Sequence, residues 1–252
     1  MKKILFAIIT AAALAACQPQ SSVNAYLDGN GDCIFENNVV SFRINGAANS
    51  VVTSGMEAIL KGVVDKREVV KDRRSAVASS LNDGGSALLV DGGLVFPAAN
   101  FESFEVVEKT DKYVTFTLNY PQWQVGDDGV SLIRTVTLHD NSLYCEVTDI
   151  YKSTAQGDPV TVVAGFAKRS VVNHETGEDY LIGWQSLPAE DGFYGVGIVM
   201  PMSDNLVFDG PEDSAVSVYD TKYGRRVEYA VGSCWSKSSI DSFEGWAKKV
   251  RL

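Results

Sequence analysis

Val227-Glu228-Tyr229-Ala230-Val231-Gly232-Ser233-Cys234-Trp235-Ser236-Lys237-Ser238 reads as a strand followed by a loop. Val227, Tyr229 and Val231 alternate with Glu228, Ala230 and Gly232, the two-residue period of a strand with one buried face. The period breaks at Gly232, so the spacing predicts a strand exit there, with Trp235 and Lys237 in a Ser-rich loop. A large aromatic beside a cation at a strand exit suits sugar recognition. It also suits a rim tryptophan that closes a core.

The same period recurs outward from this stretch. Tyr113-Val114-Thr115-Phe116-Thr117-Leu118 alternates without a break. Residues 39–44, 104–107, 130–138, 143–151, 160–166, 180–182, 195–200, 206–208 and 215–218 are also strand-like. Asp83-Gly84-Gly85 and Asp91-Gly92-Gly93 bracket residues 86–90 and read as hairpin turns, because glycine takes the positive φ of tight turns. Residues 65–81 are charge-mixed, with Val69, Val70, Val77 and Leu81 at roughly helical spacing, and read as a short surface helix or a loop. Asp241-Ser242-Phe243-Glu244 predicts a helix start capped at Asp241, with an acid three residues on. Phe243, Trp246, Ala247 and Val250 then share one helical face, which puts Trp246 in the core. Many short strands, turns between them and one terminal helix indicate an all-β antiparallel sandwich, a single domain over residues 25–252.

The N-terminus names a compartment. Met1-Lys2-Lys3, an apolar run over residues 4–16 and then Cys17 make a secretory signal too short to span a bilayer. Leu14-Ala15-Ala16-Cys17 is a lipobox, so the expectation is a signal peptide of residues 1–16, lipidation at Cys17 and a polar tether over residues 17–24. Acyl chains on Cys17 would hold the protein on a membrane of the bacterial cell envelope without spanning it. Loss of Lys2 and Lys3 leaves 20 basic against 32 acidic side chains, a balance of about −12. Nucleic acid is therefore not an expected partner, since phosphate binding needs a basic face.

Metal and disulfide signals are weak. Asp28-Gly29-Asn30-Gly31-Asp32 opens like a calcium loop, but Cys33 and Val39 stand where such a loop needs Gly and Glu, so a solvated turn is the reading. Cys33, Cys145 and Cys234 remain after processing, an odd count with no metal spacing, and Cys145 reads as a small buried hydrophobe.

Several segments together resemble one family. They are Phe35-Glu36-Asn37-Asn38-Val39-Val40-Ser41-Phe42-Arg43-Ile44, Val64-Asp65-Lys66, residues 84–94, Phe116-Thr117-Leu118-Asn119-Tyr120-Pro121-Gln122-Trp123, Ala164-Gly165-Phe166-Ala167-Lys168, residues 195–201 and residues 227–246. In this order they resemble the domain-of-unknown-function family 4861, secreted Bacteroidetes-type proteins found near polysaccharide-degradation genes. The resemblance implies a galactose-mutarotase-like supersandwich and a carbohydrate ligand. A His/Gly/Glu-rich segment precedes the Gly-Gly hairpin in that family. Here the interval 67–82 is shorter and has neither His nor Gly, which puts any chemistry of that segment in doubt.

Mutarotase-like chemistry needs an acid and a base across the ring. His139 and His174 both lie in turn sequences, where a plain exposed histidine is the ordinary reading. A lyase would need a cation for a uronate carboxylate and a base, which Arg43, Arg134, Lys168 or Lys237 with Tyr120 would supply. No GxSxG, HExxH or Walker sequence occurs, and no cofactor is expected. Candidate sugar contacts are Arg43, Trp123, Arg134, Lys168, Trp184, Trp235 and Lys237. Arg43 and Arg134 are expected on the strand face opposite the apolar residues. The expected function is an envelope lipoprotein that binds or processes carbohydrate in polysaccharide utilisation. The alternative is a structural or interaction lipoprotein without catalysis on the same fold.

Overall fold

The computed structural model describes residues 23–251. The expected signal peptide, the expected lipidation site Cys17 and most of the expected tether lie outside the described residues.

Three antiparallel sheets build the molecule. The first holds β1 (Asn24–Leu27), β2 (Cys33–Glu36), β3 (Ser41–Ile44), β4 (Glu57–Val64) and β5 (Arg67–Lys71) in chain order. The second is formed by β6 (Gly85–Val90), β7 (Gly93–Val95), β12 (Pro159–Ala167), β16 (Asn205–Gly210) and β17 (Ser214–Lys222), ordered β16-β17-β12-β6-β7. The third has eight strands, adding β8 (Ser103–Lys109), β9 (Tyr113–Val125), β10 (Asp128–His139), β11 (Tyr144–Ser153), β13 (Val171–Thr176), β14 (Tyr180–Ser186), β15 (Phe193–Val199) and β18 (Arg226–Trp235). Its order is β13-β14-β15-β18-β11-β10-β9-β8. The result is an all-β sandwich closed by a short C-terminal helix, α1 (Phe243–Val250).

One face of the long sheet carries the main core. Val114, Phe116, Leu118 and Tyr120 of β9 alternate inward with Leu132, Val136 and Leu138 of β10. Phe35 of β2 meets Phe116 at 5.1 Å between ring centroids, so the first sheet packs on one half of this face. Phe166 of β12 and Leu181 of β14 join the same core, so the second sheet covers the other half. On the opposite face α1 lays Trp246 against Ile182, Trp184 and Cys234. Gly195 and Gly197 of β15 make room for it, since a Cβ on Gly195 would come within 2.9 Å of the Trp246 ring.

Local chemistry explains the departures from the alternation. Residues 67–71 form strand β5, paired with β4 from Val64↔Arg67 to Leu60↔Lys71, where a surface helix or loop was expected. The rest of that interval is irregular. The Asp65-Lys66 turn puts both residues at positive φ and closes a hairpin, and pairing to β4 outweighs the helical spacing of the valines. Strand β18 does not end at Gly232 but runs to Trp235, because β15 pairs with it from Val199↔Ala230 to Tyr194↔Trp235. The helix cap is Ser242, whose Oγ accepts from the Gly245 amide at 3.3 Å, and not Asp241. Asp91-Gly92 is a true two-residue hairpin turn with φ of 50° and 80°. Asp83-Gly84 is instead a buried crossing in which a Cβ on Gly84 would strike Val231 at 2.1 Å.

Asp28 forms a turn in which its Oδ1 accepts from the amides of Asn30 and Asp32, the solvated turn expected there. Cys33, Cys145 and Cys234 are free and buried. No group of three or more His, Cys, Asp or Glu among the described residues is placed to hold a metal ion.

Candidate functional site

Charged strand residues have two routes into a protein: outward to water, or inward to a partner. Arg43 and Arg134 both take the second. Arg43, buried on β3, is held bidentately by Asp72 at 2.6 and 2.5 Å, with Glu57 at 3.4 Å and Asp32 at 3.8 Å. Arg134 is fully buried in the main core with Asp149, Ser86, Tyr229 and the Ser54 carbonyl around its guanidinium. It sits in phase with Leu132 and Val136, so it shares the apolar face and does not oppose it. Neither arginine reaches a concave surface.

The tryptophans are buried too. Trp123 packs edge-on to Tyr151 at 6.4 Å in the main core. A bulge brings it there: Val130 pairs with Trp123 but Leu132 with Tyr120, so Pro121 and Gln122 together face Ser131 and the inward phase shifts by one. Trp184 lies under α1 beside Phe193. Trp235 is 2% exposed. Its Ser neighbours do not place it in a loop, because Val227, Tyr229, Val231, Ser233 and Trp235 form one continuous inward series. Tyr120 is buried with them, and burial pushes its phenol well above the usual range.

His139 and His174 lie apart. His139 is at the β10–β11 turn with Nε2 3.7 Å from Glu146. His174 stacks on Phe208 at 3.7 Å. Lys168 pairs with Asp209 at 2.6 Å and Asp213 at 3.3 Å.

The charged side chains that do converge come from segments the strand pattern leaves blank. A cleft of about 420 Å³ opens between the chain after β5, the β12–β13 connection and the turn before β15. Lys71, Arg73 and Ser75 form one wall, Arg169 and Ser170 a second, Pro188 and Asp191 a third, and Tyr194 of β15 the floor. Asp83, fully buried, ties these walls together. Its Oδ1 accepts from the Tyr194 hydroxyl at 3.1 Å, and its Oδ2 accepts from the Ala58 amide at 2.8 Å and from Arg73 Nη2. The Arg73 guanidinium lies over the Tyr194 ring at 4.3 Å. Lys71 pairs with Asp191 across the cleft mouth.

Trp235 and Lys237 stand behind this cleft. Trp235 Nε1 donates to the Asp191 carbonyl at 2.8 Å, and Lys237 Nζ donates to the Glu190 carbonyl. Together they hold the turn that carries Asp191. Their part is to position a wall, not to present a stacking surface.

Electrostatics single this cleft out. Arg169 donates from Nη1 to Ser75 Oγ at 2.7 Å and from Nη2 to Asn82 Oδ1 at 2.8 Å. Both partners are neutral. Among the described residues no carboxylate lies within ion-pair distance of Arg169, unlike Arg43, Arg73 and Arg134. The Nε atoms of both Arg73 and Arg169 are buried without a hydrogen-bond partner. A buried donor of this kind is completed by a water, an ion or a ligand group. Three larger grooves lie elsewhere, beside β5 and α1, beside Asp158 and Asp220, and on the threonine-rich outer face of β9 and β10. None of them is lined by a buried polar atom without a partner.

The cleft contains no histidine. Its phenol, Tyr194, has its pKa raised by burial and then by Asp83, so it stays protonated at neutral pH. It is placed to donate a hydrogen bond and not to act as a base.

The model of the family described as Domain of unknown function (DUF4861) matches residues 75–251, which takes in Ser75, Asn82, Asp83, Arg169, Asp191 and Tyr194. A solved structure described as a putative kojibiose phosphorylase from human microbiome is similar over 92% of this chain, at 7% identity and a TM-score of 0.46. The chain spans about a third of that protein, 31% of its length. No curated protein matches the chain.

Proposed function

The chain belongs to the DUF4861 family, and from that premise we propose that it is a lipid-anchored protein of the bacterial cell envelope that binds carbohydrate through the Arg73–Arg169–Tyr194 cleft. The anchor is Cys17, the residue that ends the apolar run of the lipobox. The place in this reading is the outer membrane, and the process is polysaccharide utilisation.

The observation that carries the site is Arg169: a guanidinium in an open cleft, fixed by two neutral side chains and faced by no carboxylate. A pre-positioned donor of this kind recognises a polar ligand without a rearrangement cost. The rim of the cleft also carries the hydroxyls of Ser170 and Ser186, directed polar groups of the kind that meet sugar hydroxyls. Binding is favoured over turnover, because both histidines lie outside the cleft and its phenol is held protonated.

Two experiments test this reading. The full chain should take up palmitate label and Cys17→Ala should abolish it; an unlabelled wild-type chain would overturn the anchor, and label that persists in the variant would overturn Cys17 as its site. A soluble form beginning after Cys17 should bind members of a broad glycan panel. A panel with no binder would leave the alternative, an interaction lipoprotein without a sugar ligand.

A further inference from the structure

We propose that the saccharide taken by this cleft is acidic, with its carboxylate or sulfate group held beside Arg169 and Arg73. The inference rests on the carbohydrate reading above and narrows it to a substrate class.

The charge arrangement argues for an anion. The chain as a whole is strongly acidic, with 32 Asp and Glu against 22 Lys and Arg. The cleft nonetheless gathers three cations, Lys71, Arg73 and Arg169, against two acids, Asp72 and Asp191, in the same lining. Two of these cations are paired on the protein side, Lys71 with Asp191 and Arg73 with Asp83. Arg169 is not. Arg169 is half-buried, and a partly desolvated guanidinium with no carboxylate in direct contact gains from an anion that completes it. Its position is not accidental, because the Gln185 side-chain oxygen accepts from the Arg169 amide at 3.0 Å and fixes the backbone there. Guanidinium also matches the planar, two-oxygen geometry of carboxylate and the oxygens of sulfate better than ammonium does.

The acids near the cleft do not supply the missing counter-ion. Asp72 is engaged by Arg43 and by Arg74, at 3.2 Å to the latter, Asp83 by Arg73 and Tyr194, and Glu57 by Ser75 and Arg43. Glu57 reaches Arg169 only through the Ser75 hydroxyl, which donates to Glu57 at 2.7 Å and accepts from Arg169 at 2.7 Å, so the Arg169 guanidinium has no carboxylate in direct contact. A neutral sugar would meet the hydroxyl-bearing rim but leave the Arg169 guanidinium without a direct anionic partner.

The test uses the soluble chain and matched ligand pairs in calorimetric titrations. An oligogalacturonide and an alginate oligosaccharide are each paired with the fully methyl-esterified form, and a sulfated galactan oligosaccharide with its desulfated form. At least one acidic member should bind about 10- to 100-fold tighter than its neutral counterpart, the contribution of a charge-assisted hydrogen bond. Its affinity should also fall with added salt. Which pair discriminates separates carboxylate from sulfate. Neutral and acidic members binding alike, or neutral glycans alone binding, would overturn the acidic class while leaving the carbohydrate reading intact. No binding by any glycan, acidic or neutral, would overturn both.

Discussion

Arg134 and Asp149 stand directly opposite each other on β10 and β11, both 0% exposed, joined by Nε–Oδ1 and Nη2–Oδ2 contacts of 2.8 Å each. Asp149 also accepts from the Tyr229 hydroxyl at 2.9 Å, so the pair anchors a polar knot inside the sandwich. Replacing Arg134 with Met leaves a carboxylate buried and unpaired. The expected cost is about 3–5 kcal/mol of stability, read by urea unfolding. Glycan affinity of the folded fraction should not change, because the pair lies in the core and not in the cleft.

Trp235 separates a core role from a sugar-stacking role. Trp235→Ala should cost about 3–5 kcal/mol, as large-to-small changes in a packed core do. Trp235→Phe keeps most of the volume and loses the hydrogen bond to the Asp191 carbonyl, so a cost of about 1 kcal/mol is expected for that bond. Both are measured by denaturant melts. A Trp235→Ala protein of unchanged stability would contradict the burial.

The cap of α1 makes a sharper contrast between neighbours. Ser242→Ala removes the acceptor of the Gly245 amide and should cost about 1 kcal/mol. Asp241→Ala touches no such bond and should stay within about 0.5 kcal/mol of wild type. Thermal unfolding of the two variants side by side checks the assignment.

Acid should weaken the first sheet through Asp72. The hydrogen bonds from Arg43, and the charges of Arg43 and Arg74 after them, hold its carboxyl below the usual range. A depressed folded pKa means that folding favours the ionised form. That stabilisation is fully present above the ordinary carboxylate pKa, about 4, and is lost as the pH falls through the lower folded value. Asp72→Asn should therefore be less stable than wild type at neutral pH, and the gap should close on acidification. A gap independent of pH would contradict the ion pair's part in stability.

How legible this was in the sequence depends on the length over which the cause acts. The strands were readable because their period is local, and Tyr113 to Leu118 alternates in the structure as in the text. Two burials were readable and pass unnoticed only if parity is ignored. Arg134 is in step with Leu132 and Val136, and Trp235 is in step with Val227, Tyr229 and Val231. Trp123 was not readable by parity, since the bulge at Pro121 and Gln122 shifts the phase, although a proline within a strand is the cue for such a bulge. The cleft was the least legible part. Arg73, Arg169 and Tyr194 come from three segments, after β5, after β12 and on β15, whose meeting depends on how all three sheets come together. The interval 67–82, which has neither His nor Gly, supplies Lys71, Arg73, Ser75 and Asn82.

The account stands on the cleft as the ligand site, and Arg169 tests it most directly. The soluble wild-type chain and the variants Arg169→Gln and Arg169→Lys are titrated calorimetrically with the tightest-binding glycan of the panel, alongside thermal melts of all three. Arg169→Gln should weaken binding by about 10- to 100-fold with little change in melting temperature, and Arg169→Lys should recover part of the loss by restoring the charge. A correctly folded Arg169→Gln protein that binds as tightly as wild type would place the ligand elsewhere and contradict the account.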